Sequence, residues 1–363
     1  MTLRHSALLG VRVVASGSAR PCDAVFARER AGIELSNLEV ARLLLGDDCE
    51  AELARADLDP ERARVAWGVE RRQWVRTRRA ATPESCLDAG ELATAAARAA
   101  LQRAGVAAER VDVLVTATST PPRISSSLAS RVARELGVGG VALDLRAGGA
   151  GALQGLVTAA QYLAHGASCA LIVGVETSSL YLDAHDVRSA WLYGDGAGAV
   201  LLVRDPSAAE RGLVGALLAS EHVVGRPFTV PGVLPPTAEA LERGDYRFQR
   251  PDAAYGGALL ELWAATSREL VAVFPRECAE LAHFAPYAVS RPQLDAASAP
   301  LLAASVGRAR LVTTLARDAC VGAAGALIAL DALLESGAAA NGDLIASTAL
   351  GGGVNRAALL WRL

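Results

Sequence analysis

Residues 191–202 read WLYGDGAGAVLL. Glycines at 194, 196 and 198 punctuate the stretch, and an apolar run follows them. Taken over 190–205, it predicts a glycine-punctuated hairpin or strand pair, with Asp195 fixing a turn. The segments before it are more apolar still. ASCALIVGVE (167–176) reads as a strand buried on both faces, and GALQGLVTAAQYLAHG (151–166) as a helix so poor in charge that it must be buried all round. Between that helix and a strand ending at Leu145 lies DLRAGGAGALQG (144–155), a turn of residues too small to carry side chains of any size. A strand, a tight turn and a helix N-terminus in this order often present a nucleophile. Here the position is glycine.

The same alternation extends in both directions. VDVLVTAT (111–118) and VALDL (141–145) read as strands, 88–104 and 125–137 as helices, the first capped by Asp88 and closed by Gly105. Residues 7–15 predict a first strand and 38–58 a helix. The second half repeats the pattern: a strand at 211–222, an irregular insertion at 223–250 with four prolines, a helix at 257–274, a strand entering a loop at 281–289, a second nearly uncharged helix at 319–337, and a strand pair at 343–363. A chain of 363 residues is too long for one ordinary core. Mixed α/β sheets covered by helices are therefore expected in two related halves, 1–207 and 208–363, sharing a central layer made by the two uncharged helices. VDVLVTAT or its neighbour ASCALIVGVE is expected to lie at a sheet edge that a partner chain covers.

Composition narrows the function. The net charge of −3 offers no electrostatic footprint for nucleic acid. All 36 basic residues are arginine, as a GC-rich genome would produce. The N-terminus lacks the apolar core and cleavage site of a signal peptide. The six cysteines are scattered without a Cys-x-x-Cys pair, so reduced thiols and a cytoplasmic location are expected, and the five histidines show no metal-ligand spacing.

The segment around Asp195 resembles the GDGAGAVVL segment of β-ketoacyl-acyl carrier protein synthase III, within the thiolase superfamily. WGVERRQWV (67–75), VDVLVTATST (111–120), the run from Gly174 to Asp195, and ALGGGVNRAALL (349–360) resemble further segments of that family, in order and at matching separations. The resemblance implies a duplicated thiolase fold, five-layered αβαβα, and a homodimer or heterodimer built by sheet extension. It implies acyl-CoA or the phosphopantetheine of an acyl carrier protein as substrate, with no tightly bound cofactor, no metal, and no nucleic-acid or membrane partner.

The resemblance also places three catalytic positions. The family's reactive cysteine, in an Ala-Ala-Cys-Ala-Gly motif at the buried helix N-terminus, falls on Gly149. Its histidine falls on Tyr287, with Ser290 at the asparagine of the same loop. Its second-half asparagine falls on Cys320. All three chemical groups are replaced. Tyr287 is expected either to donate to a bound acyl carbonyl or to plug the pocket. Gly149, Gly352, Gly353 and Ser290 are candidates for a residual oxyanion pocket. The family's coenzyme A arginines fall on Ala66 and Leu180, which leaves Arg71, Arg72 and Arg291 as candidate substitutes. His283 reads as a core histidine. The implied function is a degenerate ketosynthase III-like subunit of acyl, polyketide or specialised-metabolite biosynthesis, paired with an active condensing enzyme. The alternative is an acyltransferase or condensing enzyme that works on acyl thioesters without an acyl-cysteine.

Overall fold

The computed structural model describes every residue except 1, 2, 6, 7, 28, 29, 78–85 and 209. Its frame is a pair of mixed sheets. Across the first, the strands are Val11–Ala19, Asp195–Arg204, Cys169–Thr177, Val113–Ala117 and Val141–Leu145. Across the second they are Gly212–Ser220, Asn355–Arg362, Leu344–Gly351, His283–Phe284 and Arg310–Leu311. Numbered in chain order within each sheet, both read 1-5-4-2-3. In both, the 1/5 and 5/4 pairs are antiparallel and the 4/2 and 2/3 pairs parallel. One motif is thus written twice. The swap of direction requires helical crossovers between parallel strands, which is where the helices occur. Leu3–His5 and Leu8–Leu9 pair with Gly212–Ser220, so the first residues of the chain complete the sheet of the second half.

The two charge-poor helices form the middle layer. Helix α1 (Gly151–Ala164) packs on Cys169–Thr177 and Val113–Ala117 from one side and on strands of the second sheet from the other. Helix α2 (Gly325–Glu335) lies beside it and touches it, in contact with both sheets. The glycines of 191–202 now have a physical reason. A Cβ on Gly198 would stand 2.8 Å from Leu327 Cβ and 2.9 Å from the Ile328 amide of α2, so this strand face must be bare for the helix to approach. Helices Ala89–Ala104 and Leu128–Leu136 cover the outside of the first sheet, and Ala253–Val273 and Arg291–Ala304 that of the second, which completes five layers. Asp88 caps the first of these in a box with Glu91, and Gly105 closes it in the left-handed conformation, φ 62°.

Several expectations are corrected. Residues 190–205 form one strand, Asp195–Arg204, after a short helix Val187–Ala190, because the strand pairs with neighbours on both sides and needs no hairpin partner. The first strand begins at Val11 because Gly10 turns the chain at φ 77°. The expected helix 38–58 is broken at Gly46, which has φ 69°. Helix α2 starts at Gly325, so Cys320 lies ahead of it in an extended link. Val113–Ala117 and Cys169–Thr177 are interior strands, fully buried; the free edge of the first sheet is Val141–Leu145, where Val141 is 50% exposed.

Candidate active site

The N-termini of α1 and α2 meet the end of strand Leu344–Gly351 and the link after His283–Phe284 at one point between the sheets. Asp144 organises the approach to α1: its carboxylate accepts from the Leu128 and Ala129 amides and the Thr116 hydroxyl, fixing the strand end five residues before Gly149. A single 3₁₀ turn, Gly148–Ala150, then leads into the helix. Backbone crosses backbone here. A Cβ on Gly351 would sit 1.7 Å from Ala147 O, and one on Gly148 would sit 2.5 Å from the Gly352 amide. These glycines serve close packing of the 147–149 and 350–352 segments.

Gly149 differs from them. A Cβ at this position would lie 2.5 Å from Tyr287 Cε1, 2.6 Å from Cζ and 2.5 Å from Leu350 O. The phenol ring of Tyr287 occupies the volume where a side chain at 149 would begin. On its other edge the ring meets Gly325, whose Cβ would be 3.2 Å from Cδ2, and its face stacks on Trp263 at 5.6 Å. The space at the N-terminus of α1 is therefore filled by a residue from the second sheet's side of the molecule. The Tyr287 amide donates to Thr348 O, which ties the ring to the central strand. Its hydroxyl lies 3.2 Å from Cys320 Sγ.

Neither group ionises near neutral pH. Burial lifts the Tyr287 phenol well above its ordinary value of 10, and the neighbouring Cys320 adds to the rise. Burial likewise pushes the Cys320 thiol up to about 11, against the opposing hydrogen bonds from Tyr287 and the Gly322 amide. Cys320 is also pinned by its backbone: its amide donates to Leu192 O and its carbonyl accepts from Gly194. The one acidic side chain on the cavity wall is Glu176, at the end of Cys169–Thr177. Its carboxylate accepts from the Ser119 amide at 3.0 Å, the Thr120 hydroxyl at 2.6 Å and the Ala323 amide at 3.2 Å. Burial raises its pKa while those donors oppose the rise. Glu176 was not among the expected site residues, although it carries a signal in sequence as the one charged residue of a fully buried strand.

A cavity of about 660 Å³ opens from this point. Gly148, Gly149, Glu176, Tyr287 and Gly322 form part of its inner wall, and Trp67, Phe228, Phe248 and Trp263 contribute aromatic surface. Of the expected site residues, Gly149, Tyr287 and Gly352 line it; Gly353, Ser290 and Cys320 do not. Ser290 instead precedes helix Arg291–Ala304, its hydroxyl 3.3 Å from Gln293. The candidate cofactor arginines also lie off the cavity. Arg72 is fully buried and donates to Leu35 O, Asn37 Oδ1 and Trp191 O, which corrects the expectation that it reaches a ligand. Arg71 pairs with Glu34 at 2.7 Å, and Arg291 with Asp295 at 2.7 Å on the surface. Ala66 is exposed one residue before Trp67, and Leu180 O is held by Arg247. Asp195 is buried and accepts from the Val75 and Ser179 amides and the Ser179 hydroxyl, so it braces the loops behind the cavity. His283 is buried with Nε2 3.2 Å from Asp343. No group of acidic, histidine and cysteine side chains suited to a metal ion occurs among the described residues, and no described helix is long and apolar enough to cross a membrane.

Comparison with known proteins agrees with this geometry over the whole chain. Residues 143–221 match the model of 3-oxoacyl-[acyl-carrier-protein (ACP)] synthase III, and residues 278–363 that of its C-terminal region. A β-ketoacyl-[acyl-carrier-protein] synthase III from Synechococcus is 33% identical, over 98% of this chain and 96% of the relative. The chain belongs to the β-ketoacyl-acyl carrier protein synthase III family. A second synthase III, from Bordetella petrii, is 32% identical over 89% of this chain and 94% of the relative. Among solved structures, the synthase III of Pseudomonas aeruginosa superposes with a TM-score of 0.78 at 29% identity, covering 97% of this chain and 98% of that one. The priming β-ketosynthase of the R1128 polyketide pathway shares the fold, with a TM-score of 0.74 at 22% identity. The α/β thiolase fold of the synthase III family is thus present across the chain.

Proposed function

We propose that this chain is a ketosynthase III-like subunit that forms no acyl-enzyme and pairs with an active condensing enzyme in acyl, polyketide or specialised-metabolite biosynthesis. The observation that carries this reading is the Tyr287 ring in the Cβ space of Gly149. A hydrogen atom cannot attack a thioester, and the nearest thiol, Cys320, is held protonated with its pKa near 11. Fold, cavity and a free sheet edge are kept while the chemical groups are gone. Val141–Leu145 supports the pairing: it is an unpaired edge strand, with Val141 50% exposed and the neighbouring loop residue Ile124 72% exposed. Acyl-CoA and an acyl carrier protein are the expected substrate and partner of the assembly.

A second reading, acyl transfer or condensation by proximity without an acyl-cysteine, is favoured by one observation: the cavity persists with a buried carboxyl, Glu176, on its wall. Incubation with acyl-CoA followed by intact-mass measurement separates both readings from a working synthase, since either predicts no adduct. Turnover of acyl-CoA plus acceptor by the chain alone selects the second. Light scattering on the wild type and on Val141→Lys tests the edge: the wild type should be dimeric, alone or with a synthase III-like partner, and the variant should not.

A further inference from the structure

The cavity wall carries more positive charge than the vacated chemistry accounts for. Three arginines line it, Arg146, Arg188 and Arg250, against one acid, Glu176. Arg250 is offset by Asp186 at 3.0 Å. Glu176 is taken up by its hydroxyl and amide donors and faces no guanidinium. Arg146 and Arg188 have no acidic partner among the described residues. Arg146 stands three positions before Gly149, and Arg188 is carried by the short helix ahead of Tyr193, so the two come to the cavity from different elements. The same cavity is lined by aromatic side chains. Tyr193 and Phe228 are stacked at 5.0 Å and 18°, Phe228 and Phe248 lie 4.6 Å apart, and Trp263 backs Tyr287 at 5.6 Å.

We propose that this cavity binds an aromatic carboxylic acid without covalent attachment, its ring against the Tyr193–Phe228–Trp263 wall and its carboxylate on Arg146 and Arg188. The inference rests on the reading that no acyl-enzyme forms. With Tyr287 closing the inner end, a ligand gains nothing from a thioester carbon placed at residue 149. It gains from burying a flat apolar surface and from meeting two guanidiniums that stand without acidic partners, each a planar donor fork of the kind that suits a carboxylate. A volume of about 660 Å³ lies within the range of small-molecule sites and accommodates a two-ring acid.

The test is calorimetric titration of the full chain with 2-naphthoate and with uncharged 2-naphthamide. Naphthoate should bind saturably at one site, about tenfold more tightly than the amide. In Arg146→Gln/Arg188→Gln the naphthoate affinity should fall about tenfold while amide binding stays the same. Both residues are exposed, so the variant should fold, and circular dichroism checks that it does. Equal affinities for acid and amide, or no binding of either, would overturn the proposal. So would displacement of naphthoate by an equal concentration of free coenzyme A, since that assigns the arginines to a phosphate. The mass assay for an acyl-enzyme is independent of all these outcomes, so failure here leaves the reading of residue 149 standing.

Discussion

Restoring a nucleophile at residue 149 should damage the protein before it repairs it. In Gly149→Cys the new Cβ would fall 2.5 Å from Tyr287 Cε1 and 2.5 Å from Leu350 O. Carbon atoms in contact prefer about 3.5–4.0 Å, so both neighbours must retreat by about an ångström. Tyr287 cannot swing away freely, because Gly325 and Trp263 bound it on other sides and its hydroxyl meets Cys320. Leu350 is part of a central strand. Overpacking of this kind costs about 1–3 kcal/mol, and contact with backbone places it toward the upper end. With an unfolding entropy of about 2 cal/mol/K per residue, a chain of this size should lose roughly 2–4 °C of melting temperature. Replacing the phenol with a smaller ring removes one of the two overlaps. Gly149→Cys/Tyr287→His should therefore melt above the single variant. It should also be the form that takes up an acyl group from acyl-CoA, since its thiol sits at a helix N-terminus beside an imidazole. Differential scanning fluorimetry and intact mass on the two variants decide the matter. A single Gly149→Cys variant with wild-type melting and rapid acylation would show that Tyr287 does not fill this space.

Three further outcomes follow from the buried groups. Cys320, with its thiol pushed up to about 11, should stay unmodified when the native protein is treated with iodoacetamide at pH 8, as read by peptide mass spectrometry, and should react only after denaturation. Asp195 has its pKa raised by burial from 3.8 to about 7. A carboxyl raised in the fold holds its proton there while the unfolded chain has lost it, so its contribution to stability is full below about pH 4 and is lost as the pH rises to about 7. The melting temperature of Asp195→Asn should thus fall less between pH 5 and pH 7 than that of the wild type, and parallel slopes would contradict this. Arg72→Ala leaves the acceptors at Leu35, Asn37 and Trp191 without their buried donor; it should cost ~3 kcal/mol or more in denaturant unfolding, while ligand affinity in the folded fraction stays the same.

The sequence by itself determined the architecture. Two helices poor in charge, one per half, call for burial between layers, α1 having no charged residue and α2 only Asp331 and Glu335, and continuous apolar strands such as Val113–Ala117 require cover on both faces; together they leave a layered, duplicated α/β fold as the solution. The spacing from Gly174 through Asp195 and the final glycine turn carried the family, and with it the expectation that Gly149, Tyr287 and Cys320 stand at its catalytic positions. What the sequence did not hold was which contacts those positions make. Gly149 and Tyr287 stand 138 residues apart and meet through packing between the halves. In sequence the glycine and the tyrosine are unrelated letters; in the structure the tyrosine ring takes the space a side chain at 149 would need. Edge and interior strands were confused for the same reason, since sheet order depends on crossovers that local pattern does not encode. Arg72 looks like any surface arginine in sequence, and only the tertiary fold, by closing Leu35, Asn37 and Trp191 around it, makes it part of the core. Periodicity is a local property and reports burial; chemistry at a site depends on distances between distant segments, which only the folded chain fixes.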